Sequence, residues 1–181
     1  GLIEIGGIAI KILDTLFEIF PQADRGTILM KEERGARAPQ NSPQHRFIPA
    51  AQKRRQEGDD ESVRLSRTIL DRVLNDKAGI LSADAANDSR FSASESISSL
   101  TIHSMMCVPL LDGNDEALGL IQIDSMDQRN RFQQEDLDVL MGVAIQASFA
   151  IDNINLHENL VRQHQIERDL ELAHKVQQAL L

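Results

Sequence analysis

The stretch Met105-Met106-Cys107-Val108-Pro109-Leu110-Leu111-Asp112-Gly113-Asn114-Asp115-Glu116-Ala117-Leu118-Gly119-Leu120-Ile121-Gln122-Ile123-Asp124 decides the fold. Two apolar runs, 105–111 and 117–124, flank Asp112-Gly113-Asn114-Asp115, and a short glycine-containing link between strand-forming runs predicts a β-hairpin. Upstream, Ile80-Leu81-Ser82 predicts a short strand. Before it, Ser66 stands where a helix cap is needed, Ile69, Leu70, Val73 and Leu74 supply a buried face, and Asn75 to Gly79 closes the helix. Asp84 to Ser94 is small and polar except for Phe91, the composition of a covering segment. Ser94-Glu95-Ser96-Ile97 opens one or two helical turns ending near Leu100.

Nearer the start, apolar residues recur at three and four from Ile3 to Phe20, which predicts an amphipathic helix ended by Pro21. Gly26 to Met30 reads as a strand, 33–46 as a loop with few large apolar groups, and Phe47 to Gln52 as an edge strand that tolerates Pro49. From Gln133 onward there is no proline, so one long helix is expected. Between Leu137 and Ile154 its face of Leu140, Met141, Ala144, Ile145, Ala147, Ser148 and Ile151 is broad enough to lie on a sheet. Beyond it the stripe narrows to Leu156, Leu160, Ile166, Leu170, Ala173 and Leu180, as in a coiled-coil seam, with a one-residue slip between Leu160 and Ile166.

The 181 residues are 41% hydrophobic and 26% charged, enough for one domain with a core of useful size. A net charge of −9, no Trp, no Tyr and only six Phe argue against nucleic acid and anionic membranes as partners. The single cysteine, Cys107, excludes intrachain disulfides and two-thiol redox motifs. With no apolar run near the length of a membrane span and no leader-like start, a cytoplasmic location is expected. Both ends read as the interior of helices, so the chain is expected to be a piece of a longer protein.

This order of elements resembles a GAF domain. The matching residues are Ser66 to Leu70 with Val73-Leu74, Ala83-Asp84-Ala85 followed by Asp88 to Phe91, Cys107-Val108-Pro109-Leu110, Leu118 to Ile121 with Asp124-Ser125, and Phe132 with Glu135-Asp136-Leu137. The resemblance implies an α+β fold with a central antiparallel sheet of five to six strands flanked by helices. It divides the chain into an N-terminal helix, 1–20, that packs with the exit helix; a sensor domain, 21–154; and a coiled-coil linker helix, 155–181. A second resemblance lies in Glu171 to Leu181, which is similar to the helix leading into metal-dependent serine phosphatases of the bacterial sporulation and stress-response type. It implies a non-catalytic input piece and a phosphatase domain further along the same chain.

The GAF resemblance places a small-molecule pocket between the sheet and the segment before the hairpin. There Asp84, Arg90, His103 and Gln122 are the expected polar contacts, and Phe91, Ile102 and Met106 the expected walls. The ligand is unknown and no cofactor is expected. A homodimer is expected through Ile5, Ile12, Leu16, Leu156, Leu160, Ile166 and Leu170. Asn130-Arg131-Phe132 with Glu135-Asp136 holds the residue types of the family's cyclic-nucleotide motif, but compressed and with the acids reversed. The positive end of a helix dipole accounts for those two acids.

Cys107, inside an apolar strand, reads as a buried unreactive thiol, and one cysteine argues against a methionine sulfoxide reductase. The five histidines show no metal-ligand spacing. Arg46, Lys53, Arg54 and Arg55, followed by Glu57, Asp59, Asp60 and Glu61, read as one solvated loop. A ligand-free dimerisation module is the competing function, and catalysis the least favoured.

Overall fold

The computed structural model describes residues 2–32, 46–56, 66–90 and 102–181. The expectations for the loop at 33–45, the acids from Glu57 to Glu61, Phe91 and the helical turns at 94–100 lie outside the described residues. Helix α1 (Leu2–Ile19) leads into strands β1 (Arg25–Lys31) and β2 (Phe47–Arg54), then helix α2 (Arg67–Asp76) and strand β3 (Ile80–Ser82). A 3-10 turn at Ala85–Asn87 precedes the hairpin of β4 (Ser104–Leu111) and β5 (Ala117–Ser125), and helix α3 (Gln134–Leu180) follows. The five strands form one antiparallel sheet in the order β2-β1-β5-β4-β3, with helices on both faces. The expected α+β architecture is therefore observed. As expected, β2 lies at an edge, and its Pro49 stands at a register shift opposite Leu29, the kind of position where sheets tolerate proline.

Strand β5 is central and buried from Gly119 to Ser125, so its alternate residues serve two interiors. On the first face Ile28, Met106, Val108, Ile121 and Ile123 meet Leu13, Leu16 and Phe17 of α1 and Leu140, Ala144 and Ile151 of α3 in one core. Each such buried aliphatic side chain contributes about 1.5–3 kcal/mol. Leu16, expected at a dimer interface, is fully buried in this core and offers nothing to a partner, while Ile5 and Ile12 are half-buried against it. Ile145, expected on the sheet, points outward because it falls off the arc of Leu137, Leu140, Ala144 and Ser148.

The cationic cluster at 53–55 is not a solvated loop. Lys53 and Arg54 belong to β2, and Lys53 pairs with Asp14 of α1. Arg55 donates from Nε to the Ala23 carbonyl at 2.7 Å and from Nη2 to the carbonyls of Phe17 at 3.0 Å and Phe20 at 3.3 Å, lying over the Phe17 ring. Helix α1 has no basic residue in its last turn, and Arg55 supplies the cation that its carbonyl end attracts. Helix α2 begins as expected, with Ser66 Oγ accepting from Ile69 N at 3.3 Å. At the start of α3, Asp136 accepts from Gln133 N at 2.8 Å. Phe132 just before it is buried edge-on to Phe20, ring centroids 5.9 Å apart.

Helix α3 contains an 18-residue window of mean hydropathy 1.4, which by length and composition alone reaches that of a membrane span. The sequence reading found no such run because Asp and Gln interrupt it; 33% of the window is buried inside the chain.

Two glycines set how closely elements approach. A Cβ on Gly119 would lie 2.0 Å from the Leu29 carbonyl oxygen, a backbone atom that cannot yield, and one on Gly26 would lie 3.0 Å from both Leu13 and Phe17. Gly7 of α1 has nothing within 4 Å of the equivalent point. Gly119→Ala is expected to destabilise the domain by about 2–4 kcal/mol through displaced β1–β5 pairing. Gly7→Ala is expected to stabilise it by about 0.5–1 kcal/mol. Urea midpoints of the two variants against the parent check both signs.

Candidate functional site

The second face of the sheet differs chemically from the first. Register places Arg54, Arg25, Asp124, Met105 and Ser82 in one row across the five strands, and Gln52, Thr27, Gln122, Cys107 and Ile80 in the next. Leu29 and Leu120 form a third, apolar row. The amphipathic pattern of α2 covers the apolar end, with Ile69 and Val73 packed in a cluster with Leu29, Leu120, Cys107 and Ile80. At the other end Arg25, Thr27, Gln122 and Asp124 are buried polar groups on two adjacent strands. Side chains of this kind inside a sheet need partners, because a buried polar group without one costs about 1–3 kcal/mol.

Gln122 Nε2 donates to Asp124 Oδ1 at 3.1 Å, which leaves the amide oxygen of Gln122 as an acceptor. Thr27 Oγ1 is buried and, among the described residues, has no hydrogen-bond partner. Burial pushes the Asp124 carboxyl up to about 6; the bond from Gln122 and the charge of Arg25 oppose that rise, and Asp24 adds to it. Burial, aided by the charge of Asp124, drives the Cys107 thiol far above its ordinary range, so it stays protonated.

The sequence-predicted residues divide between this site and other roles. Gln122 and Ile102 lie on the second face, buried. Met106 does not: its place in the alternation of β4 puts it in the first core, opposite Ile123, and Met105 and Cys107 face the site instead. Arg90 is committed to Asp88, with Nε 2.9 Å from Oδ1, and its Nη2 donates to the Leu81 carbonyl at 2.7 Å. Its hydrogen bonds hold the Asp88 carboxyl well below the usual range, and Ser82 Oγ donates to the same carboxylate at 2.7 Å. Asp84 accepts from Asn87 Nδ2 at 2.9 Å and lies 3.6 Å from Arg131 Nη1. His103 is half-buried, its Nε2 3.4 Å from Gln128 Nε2.

Arg90, Asp84 and Arg131 thus fasten the chain after β3 to the rim of the sheet. Phe91 lies outside the described residues. Arg25, Thr27 and Asp124 were missed by sequence reasoning. Their signal was present: polar residues at inward positions of otherwise apolar strands, two apart from each other.

Elsewhere, a groove of about 410 Å³ lies between the hairpin link and α3, lined by Pro109, Leu111, Met141, Ile145 and Phe149 among others. Among the described residues no group of three or more His, Cys, Asp or Glu is placed to hold a metal ion.

A two-faced five-stranded sheet with polar residues on the face away from its terminal helices defines a class, and comparison with known proteins identifies it. The GAF domain family model matches residues 5–151, and the chain belongs to the GAF domain family. GAF domains are sensory signal-transduction domains, generally regulatory and non-catalytic, and occur in histidine kinases and photoreceptors. No curated protein sequence matches the chain.

Among solved structures, the photoproduct state of a GAF domain from Synechocystis sp. superposes with a TM-score of 0.66 at 15% identity, over 86% of this chain and 98% of that one. A domain of a putative two-component sensor histidine kinase from Sinorhizobium meliloti gives 0.57 at 21%, over 87% and 96%. A type II free methionine-R-sulfoxide reductase from Thermoplasma acidophilum gives 0.58 at 17%, over 82% and 93%.

The raised Asp124 carboxyl makes stability depend on pH. The folded state holds this proton more firmly than the unfolded chain does, so between about pH 4 and 6 folding takes up a proton and stability falls as pH rises. Above the folded value both states are ionised, and the full penalty, on the order of 2–3 kcal/mol, is present. Asp124→Asn removes it. The urea midpoint of this variant is expected to exceed the parent's most at pH 8 and least near pH 4.

Proposed function

We propose that this chain is a small-molecule sensor of the cytoplasm that works as a homodimer. Its C-terminal helix relays occupancy of the second face to a serine/threonine phosphatase domain further along the same chain. The observation that carries the sensing part is the buried hydroxyl of Thr27, without a hydrogen-bond partner among the described residues, beside Gln122 and Asp124. A ligand with a polar edge at that point gives Thr27 the partner it lacks and meets the acceptor of Gln122 and the carboxyl of Asp124. A pure scaffold has no use for this arrangement, and an apolar residue at position 27 would be the more stable choice.

The fold supports the relay part. Thr27 and Gln122 alternate along β1 and β5 with Ile28, Ile121 and Ile123, which carry α1 and α3 on the opposite face. A shift of either strand on ligand binding therefore reaches the exit helix through a packed core. The phosphatase output rests on the resemblance of Glu171 to Leu181 to the helix that precedes such domains. The fragment itself is read as non-catalytic. GAF domains are generally regulatory, and the only thiol of this chain is buried and held protonated.

A native mass spectrum of the protein as purified, together with Thr27→Val, tests the sensor. The parent is expected as a dimer carrying a retained molecule of a few hundred daltons, and Thr27→Val as a dimer without it. Because valine removes an unbonded hydroxyl at nearly constant volume, its urea midpoint should equal or exceed the parent's. Loss of the retained mass is then a binding effect and not unfolding. Bare dimers for both proteins would favour the ligand-free module. For the output, the sequence that follows Leu181 in the longer protein is expected to encode a metal-dependent phosphatase, and any other domain there overturns that part.

A further inference from the structure

The polar end of the second face offers one kind of hydrogen-bonding group and not the other. Thr27 and Gln122 are register partners on β1 and β5, and Asp124 stands two residues beyond Gln122 on the same face. The three are 1%, 5% and 1% exposed. Gln122 Nε2 donates to Asp124 Oδ1 at 3.1 Å, so the donor end of the amide is turned to the carboxyl and its oxygen is turned away. Above about pH 6 the Asp124 carboxyl is ionised and can only accept. Among the described residues nothing donates to Gln122 Oε1 or to Asp124 Oδ2. The pair therefore presents two acceptors, one of them charged, with the Thr27 hydroxyl beside them.

We infer that the second face takes a flat, largely apolar molecule whose edge carries two adjacent N–H donors, such as an amidine or an amino group next to a ring N–H, and no carboxylate or phosphate at that end. The inference rests on the sensor reading above and deepens it by naming the chemistry of the ligand.

Three observations choose this class. First, paired N–H donors meet a carboxylate and an amide oxygen as charge-assisted hydrogen bonds, whereas an acidic edge would set acceptor against acceptor next to a buried negative charge. Second, the cations of this face are occupied or distant. Arg25, the register partner of Asp124, is already engaged and acts on that carboxyl by charge, Arg54 stands on the edge strand two strands away, and Arg90 is committed to Asp88. An anion on this face has no free guanidinium to meet. Third, the strand beside the acceptors is apolar and soft. Met105 and Cys107 of β4 are the register partners of Asp124 and Gln122, and a thioether with a protonated thiol packs well against a ring. The Thr27 hydroxyl both donates and accepts, so it completes either kind of neighbouring atom on such a ring.

Benzamidine, benzamide and benzoate share one ring and differ in that edge, which is a donor pair with positive charge, a mixed amide and an acceptor pair with negative charge. Titration calorimetry of the full chain at about pH 7.5, where Asp124 is ionised, is expected to give benzamidine at least tenfold tighter binding than benzoate, with benzamide between them. Asp124→Asn is expected to weaken benzamidine at least tenfold and Thr27→Val at least threefold, while the urea midpoints of both variants equal or exceed the parent's. Benzoate binding as tightly as benzamidine would overturn the donor-edge class and leave the sensor reading standing. Equal binding of benzamidine to the parent and to Asp124→Asn would assign it to the acidic surface of a chain of net charge −9 and overturn the class as well. Absence of binding by all three at about 10 mM also overturns it. In that case a molecule retained in the native mass spectrum keeps the sensor reading, and bare protein removes both.

Discussion

Strand β5 sits in the middle of the sheet, hydrogen-bonded on both sides and covered on both faces, so every residue from Gly119 to Ser125 is interior. The rest of the structure depends on that constraint. Its odd positions, Ile121 and Ile123, meet α1 and α3 in an apolar core. Its even positions, Leu120, Gln122 and Asp124, meet a face that changes from apolar to polar along the strand. The pleat allows no residue to belong to both, and a slip of one residue would bury the polar set against the helices. Gly119 pins the register from one end, because its missing side chain is what lets the Leu29 carbonyl approach.

A buried carboxyl on a central strand weakens a fold, and Asp124 is retained among neighbours that only partly compensate it. Gln122 gives it one hydrogen bond, and Arg25, its register partner, acts by charge. A residue placed there for stability alone would be apolar. Under the sensor reading proposed above, such groups are held ready for a polar ligand at the cost of their burial. The rim is made differently. Arg90 is satisfied by Asp88 and the Leu81 carbonyl, and Arg131 by the carbonyls of Ala83 and Gln128, so these arginines fix backbone. Buried polar groups and backbone fastening are thus divided between the interior of the sheet and its edge.

Most of the fold was legible in the sequence because its signals are local. The hairpin, the cap at Ser66, the edge position of β2 and the length of α3 each follow from composition and period along a continuous stretch of chain. The site was legible only in part, because it is assembled by register between β1 and β5, strands about 95 residues apart in the chain. Gln122 could be picked from its own strand. Thr27 and Arg25 become site residues only once β1 is laid antiparallel beside β5. Met106 was misplaced for a related reason: neighbouring residues of a strand face opposite ways, and the resemblance to a family did not fix which of Met105 and Met106 faces in. Arg55 was read as part of a solvated loop because charge runs are usually solvated; nothing local tells that the carbonyl end of α1 lies beside it.

Helix α3 changes character at Ile151, the last of its buried contacts with the sheet. Before that point Leu140, Ala144 and Ile151 share one core with Ile121 and Ile123 of β5, whose neighbours Gln122 and Asp124 face the other way. The two faces of β5 are one backbone, so a displacement felt at Gln122 or Asp124 is also felt by the close-packed core that grips the first half of α3. Beyond Ile151 no residue of α3 is buried in its own domain. The distal half therefore takes its position from the proximal half, and a small change of tilt where the core holds the helix grows with distance along it.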